Sequence, residues 1–175
     1  MKNEKKFEMT PEEKARLVID RKLEDAGWKV TGRDGYASTF SAVAVREGLL
    51  KGNKEADYLL FLDGKAIGVL EAKKENTKLS EIVAAQAENY TYQLPKWYQY
   101  WQKPLPFVYL SNGKELLFRD MRTKNDYAPL QIVHTPKDLA KMAGIENENA
   151  GLPYLSEKGL RKCQFEAVTA LENSF

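Results

Sequence analysis

Three ionisable residues stand where the sequence otherwise builds apolar strands. Asp57 heads the run Asp57-Tyr58-Leu59-Leu60-Phe61-Leu62, and Glu71 and Lys73 close the run Ala66-Ile67-Gly68-Val69-Leu70-Glu71-Ala72-Lys73. Strand alternation places Glu71 and Lys73 on one face. Burying such groups is costly unless they pair or hold a metal. Metal-dependent hydrolysis of a phosphodiester needs carboxylates for a hard divalent cation and a positive group to orient water or stabilise developing charge. Asp57, Glu71 and Lys73 fill those roles in order, and the carbonyl of Ala72 offers a further oxygen to the cation.

Whether Asp57 can join the other two depends on the turn between the runs, signalled by Asp63-Gly64. A two-residue loop would set Asp57 opposite Leu70, facing away from Glu71. A three-residue loop, Leu62-Asp63-Gly64 with glycine in the left-handed region, restores the parity. The chemistry therefore predicts a three-residue loop that turns Asp57 to the face of Glu71 and Lys73.

The elements around this hairpin read as follows. Thr10-Pro11-Glu12-Glu13 is a helix start, with Thr10 as N-cap, Pro11 at the first position and Glu13 as capping-box partner. Ala15, Val18, Ile19, Leu23 and Ala26 continue at helical spacing to Gly27, which predicts a helix over about residues 11–26. A loop leads to a short strand around Ala42 to Arg46, and the hairpin follows. Its nearly continuous apolar runs require cover on both faces. Leu79, Ile82, Val83, Ala87 and Tyr90 predict a helix that Pro95 stops. Asn112-Gly113 predicts a second hairpin between Phe107–Leu110 and Leu116–Phe118, and Leu130-Gln131-Ile132-Val133 a last short strand. Thr135-Pro136-Lys137-Asp138 opens another helix, ended at Gly144. Glu146 to Gly151 reads as a linker, and the stretch from about Ser156 to Phe175 as an amphipathic helix cut from something longer.

The 175 residues suit one well-buried domain with a tail, and 43% hydrophobic and 30% charged residues are ordinary for a soluble protein. No apolar stretch approaches the ~20 residues needed to span a bilayer. The amino terminus lacks an apolar signal region, and the single cysteine, Cys163, excludes an internal disulfide framework. A cytoplasmic setting is expected. A net charge of +2 is too small to announce nucleic-acid binding. Lys51, Lys54, Lys73, Lys74, Lys78, Lys96 and Lys103 surround the central runs, as a solvated surface or as a phosphate-facing patch. His134 is the only histidine, so no histidine-ligated zinc site can be built.

The strings Glu55-Ala56-Asp57-Tyr58-Leu59-Leu60 and Val69-Leu70-Glu71-Ala72-Lys73-Lys74 closely resemble the PD-(D/E)xK nuclease signature of the R (HsdR) subunit of type I restriction endonucleases. Glu13, Arg16 and Ala26-Gly27-Trp28 are similar to that subunit's opening, and Gln86-Ala87-Glu88-Asn89-Tyr90 matches the Q-x-x-x-Y motif that follows its nuclease core. Ala56 replaces the proline of the general signature, as is usual in this subfamily. Gly159 to Val168 resembles the start of the ATP-driven translocase, with Gln164 at the position that contacts adenine. No phosphate-binding G-x-x-x-x-G-K-[ST] loop occurs, so ATP hydrolysis does not reside in this chain.

The resemblance implies an α/β fold with a restriction-endonuclease-like core, a central mixed β-sheet flanked by helices on both faces in the order αβββαβ. It implies a nuclease domain over 1–145, a linker over 146–158 and a truncated start of the helicase-like translocase over 159–175. The implied activity is Mg²⁺-dependent cleavage of double-stranded DNA, with sequence recognition supplied by methyltransferase and specificity subunits and ATP used by the full-length subunit. Asp57, Glu71 and Ala72 would hold metal, Lys73 would orient water, and Gln86 and Tyr90, sharing a helix face, would support the reaction. A second reading is a catalytically silent DNA-binding or subunit-docking module with the same fold.

Several residues carry a plainer reading beside the chemical one. A Glu-x-Lys on a strand is by itself an ordinary ion pair, and only its conjunction with Asp57, the turn, Gln86 and Tyr90 favours catalysis. Glu13 is explained by the cap or by an Arg16–Asp20 surface ladder, with a metal-side role as the alternative. Trp97, Tyr98, Tyr100 and Trp101 are expected at the edge of the core rather than stacked on bases.

Overall fold

The structure is a computed structural model and describes residues 8–145. The expected linker and terminal helix, with Cys163 and Gln164, lie outside those residues. Helix α1 (Pro11–Asp25) begins as its sequence dictates. Thr10 Oγ1 accepts from the Glu13 amide at 3.2 Å, and Glu13 Oε2 accepts from the Thr10 amide at 2.7 Å. At its far end the amides of Gly27 and Trp28 donate to the carbonyls of Glu24 and Leu23 at 2.9 and 3.0 Å, which closes the helix.

Eight strands form one mixed sheet: β1 (Lys29–Thr31), β2 (Ala42–Leu49), β3 (Glu55–Leu62), β4 (Lys65–Ala72), β5 (Gln99–Tyr100), β6 (Phe107–Ser111), β7 (Leu116–Asp120) and β8 (Ala128–Pro129). Their order is β1-β2-β3-β4-β6-β7-β8, with β5 and β6 taking successive stretches of the same edge of β4 in parallel. Helices α2 (Glu81–Tyr90) and α3 (Pro136–Met142) complete the domain. On one face Ile19 and Leu23 of α1 and Leu139 of α3 pack on Tyr58, Leu60, Leu70 and Tyr109. On the other, Val83, Ala87 and Tyr90 of α2 pack on Leu59, Phe61, Val69 and Leu110. Cover on both faces is what the unbroken apolar strands require, and the architecture is a restriction-endonuclease-like α/β core.

The central hairpin departs from the expected turn. Leu62 pairs with Lys65, so the loop is the two residues Asp63-Gly64, with φ of 47° and 75°. Both left-handed values belong to a type I′ turn, the one an Asp-Gly pair favours. Parity is restored inside the strand instead. Phe61 pairs with Ala66 but Leu60 with Gly68, so Ile67 is an extra residue, a β-bulge. Its side chain is fully buried among the residues under α1, which gives the extra residue a place in the core.

Other expectations shift in smaller ways. Residues 130–133 are not a strand; the edge strand lies earlier, at Ala128–Pro129, where a proline is tolerated. Ile132 is 74% exposed and Val133 buried, with no ladder to hold them. The loop at Asn112-Gly113 has four residues, because Ser111 pairs with Leu116 and Asn112 Oδ1 accepts from the amides of Lys114 and Glu115 at 3.1 and 2.8 Å. Strand β1, pairing parallel to β2, was hidden in a polar stretch. His134 has a structural place: Tyr109 Oη lies 2.8 Å from its Nδ1, and its carbonyl accepts from Trp28 Nε1 at 2.9 Å. The aromatic segment divides. Tyr98 packs on Phe61 and Tyr36, and Trp101 Nε1 donates to the Leu62 carbonyl at 2.9 Å, whereas Trp97 and Tyr100 face solvent.

Candidate active site

The bulge sets the register that brings Asp57 and Glu71 to the same level. Beyond it Tyr58 pairs with Leu70, and one step outward Asp57 stands level with Glu71. The Ala72 amide donates to Asp57 Oδ2 at 2.8 Å, tying the aspartate to the end of β4. Lys73 Nζ donates to Glu71 Oε1 at 2.7 Å, and these side chains are 26% and 5% exposed. Asp57, Glu71 and Lys73 thus meet at one end of the sheet, beside the first turns of α1, whose Arg16 reaches Asp57.

Burial first, and the facing Asp57 carboxylate second, raise the Glu71 pKa above its ordinary value; the Lys73 ammonium pulls it down and offsets only part. A nearly buried acid whose pKa stays raised beside a second acid, even with Lys73 bonded to it, leaves Glu71 incompletely compensated. A hard divalent cation fits this donor set. Mg²⁺ is commonly held by one or two carboxylates, with waters and phosphate oxygens completing its octahedron. Among the described residues no group of three or more His, Cys, Asp or Glu side chains is placed to hold a metal.

Arg16 borders the site, a place the sequence reading did not give it; the surface ladder with Asp20 offered there as one alternative does not form. Arg16 Nη2 donates to Asp57 Oδ1 at 2.9 Å and its Nη1 to Glu47 Oε1 at 3.2 Å. Asp20 turns inward to Arg46, which holds it through Nε and Nη2, and to Tyr58 Oη at 2.7 Å. The available signal was that Arg16 and Asp20 both border the buried stripe Ala15, Ile19, Leu23, so neither had to lie on an open surface.

Gln86 and Tyr90 share a face of α2, where Gln86 Nε2 donates to Tyr90 Oη at 2.7 Å. Tyr90 is buried and Gln86 exposed. Among the described residues neither bonds to Asp57, Glu71 or Lys73. Glu13 spends its carboxylate on the helix cap. Lys74 pairs with Glu12 at 3.1 Å, and Lys78 is exposed.

Residues 34–143 match the family model described as the type I restriction enzyme EcoKI endonuclease subunit second domain. That span holds Asp57, Glu71, Lys73, Gln86 and Tyr90 and begins after α1. The chain is also similar to the type I restriction enzyme EcoKI endonuclease subunit of Escherichia coli (strain K12), 30% identical over an alignment 224 positions long. The alignment covers 93% of this chain but only 19% of that relative. No solved structure matches the chain. On the family match and this relative together, the chain belongs to the endonuclease subunits of type I restriction enzymes.

Proposed function

We propose that this domain is the Mg²⁺-dependent endonuclease of a type I restriction enzyme R subunit and cleaves double-stranded DNA. The observation that carries the reading is the meeting of Asp57, Glu71 and Lys73 at one sheet end, with Glu71 raised by burial and by its neighbour. Asp57 and Glu71 hold the cation, with the Ala72 carbonyl beside them. When bound, the cation supplies charge neutralisation for the scissile phosphate and activation of water. Lys73 orients that water and stabilises charge on the phosphate. Gln86 and Tyr90 position the strand to be cut, Tyr90 fixing Gln86 through their hydrogen bond. In the full assembly, methyltransferase and specificity subunits recognise the sequence, and ATP drives the motor part of the subunit. The setting is cytoplasmic, and among the described residues no helix is long and apolar enough to cross a membrane.

One observation favours the silent-module reading instead: both Asp57 oxygens are already engaged, by Arg16 and by the Ala72 amide. Calorimetric titration with Mg²⁺ separates the two. Nuclease function requires binding by the wild type that Asp57→Ala abolishes, and loss of cleavage by the assembled enzyme carrying Glu71→Ala while translocation survives. Unchanged cleavage would leave the silent module.

A further inference from the structure

Arg16 stands between two acids. Its guanidinium occupies Asp57 Oδ1 at 2.9 Å and reaches Glu47 Oε1 at 3.2 Å with its other terminal nitrogen. Its side chain is 43% exposed, against 17% for Asp57 and 51% for Glu47. Glu47 has a backbone conformation unusual for its residue type, with φ of 52°. The β2–β3 ladder pairs Arg46 with Tyr58 and Gly48 with Ala56 and skips Glu47, which lies level with Asp57. This twist presents a carboxylate to Arg16 beside the one that Arg16 already holds.

We propose that Arg16 is the resident counter-cation of the metal site, and that Glu47 is the positioning residue that takes Arg16 from Asp57 when a divalent cation binds. The inference rests on the reading that Asp57 and Glu71 hold such a cation. A guanidinium does not lose its proton at neutral pH, so it can relieve its repulsion with a dication only by moving. Exposure leaves it room to move, and Glu47 gives it a partner at the end of the motion. Arg16 thereby neutralises part of the charge that the paired acids carry without metal, and metal binding includes the displacement of Arg16.

Calorimetric titration of the chain with Mg²⁺ tests the proposal, with Mn²⁺ as a second probe. Removing one positive charge a few ångströms from a dication tightens its binding, so Arg16→Met should lower Kd by about tenfold. Glu47→Gln, which leaves Arg16 on Asp57 alone, should raise Kd by about threefold. In the double variant the Glu47 effect should shrink to the small direct contribution of its own charge, because Glu47 acts chiefly through Arg16. Arg16→Met keeps the aliphatic stem, and a circular dichroism melt verifies that each variant folds. Weaker or unchanged binding in Arg16→Met, or a Glu47 effect undiminished without Arg16, overturns the proposal. Asp57→Ala distinguishes the levels: binding like wild type sinks the metal site itself, whereas lost binding with flat Arg16 and Glu47 results sinks only the counter-cation.

Discussion

Glu71→Gln should make the metal-free protein more stable while removing its response to Mg²⁺. The carboxylate is 5% exposed, level with Asp57, and has one ammonium partner at 2.7 Å. Glutamine keeps an oxygen for Lys73 but exchanges a charge-assisted hydrogen bond for a neutral one, a loss of about 1 kcal/mol. Against this, burying the ion costs several kcal/mol before compensation, and the neighbouring aspartate adds repulsion. The raised pKa gives the sign, since the folded state disfavours the ion even with Lys73 in place. A net gain of about 1–2 kcal/mol follows, about 3–6 °C in melting temperature for a domain of this size.

The pH dependence has a fixed direction. Because the folded pKa lies above the ordinary 4.5, the native state binds the proton more tightly than the unfolded chain. Wild-type stability from this group is full at low pH and falls as pH rises from the unfolded value through the folded one. The advantage of Glu71→Gln is therefore absent in acid and complete at neutral pH. With Mg²⁺ at 100 times its Kd the wild type gains about 2.7 kcal/mol and the variant nothing, so the order of the two reverses. Differential scanning fluorimetry across pH, with Mg²⁺ and with chelator, reads all of this. A variant less stable than wild type in chelator at neutral pH, or one with an equal Mg²⁺ shift, would refute the reasoning.

Asp20→Ala should cost about 3 kcal/mol in urea denaturation, because it leaves Arg46 and the buried Tyr58 hydroxyl without their shared partner. Asp20→Asn should recover part of that loss. Gly48→Ala should cost about 1–3 kcal/mol, since a Cβ there would stand 2.5 Å from Leu59 Cγ; Leu59→Ala in the same chain should relieve the clash, measurable as a non-additive double-mutant cycle. Tyr90→Phe should leave Mg²⁺ affinity unchanged and slow DNA cleavage by the assembled enzyme, because only the hydroxyl that holds Gln86 is removed.

Local rules in the sequence carried much of this. Thr10 with Glu13 and Thr135 with Asp138 fixed two helix starts, because a capping box is written within four residues. The unbroken apolar character of β3 and β4 implied their cover, and the spacing of Asp57, Glu71 and Lys73 anticipated that these side chains lie together at one sheet end. What stayed hidden depends on contacts between distant segments. The parallel pairing of β4 with β6 joins strands separated by α2, and Arg16 meets Asp57 across 41 positions. Parity was inferred from the needed chemistry and assigned to the turn, but an Asp-Gly pair is content as a two-residue loop. The adjustment moved to Ile67, where nothing in the local sequence marks it.

The bulge divides the hairpin into two parts with different tolerance to editing. Between the tip and Ile67, exchanging Asp63-Gly64 for another two-residue connector leaves the count, and so the facing of the carboxylates, as it is, provided glycine stays second, where a Cβ would meet the Ser38 carbonyl oxygen at 2.5 Å. A single codon added between Ile67 and Glu71, or between Asp57 and Phe61, rotates one acid away from the other. In this stretch the odd or even count of residues matters more than their identity.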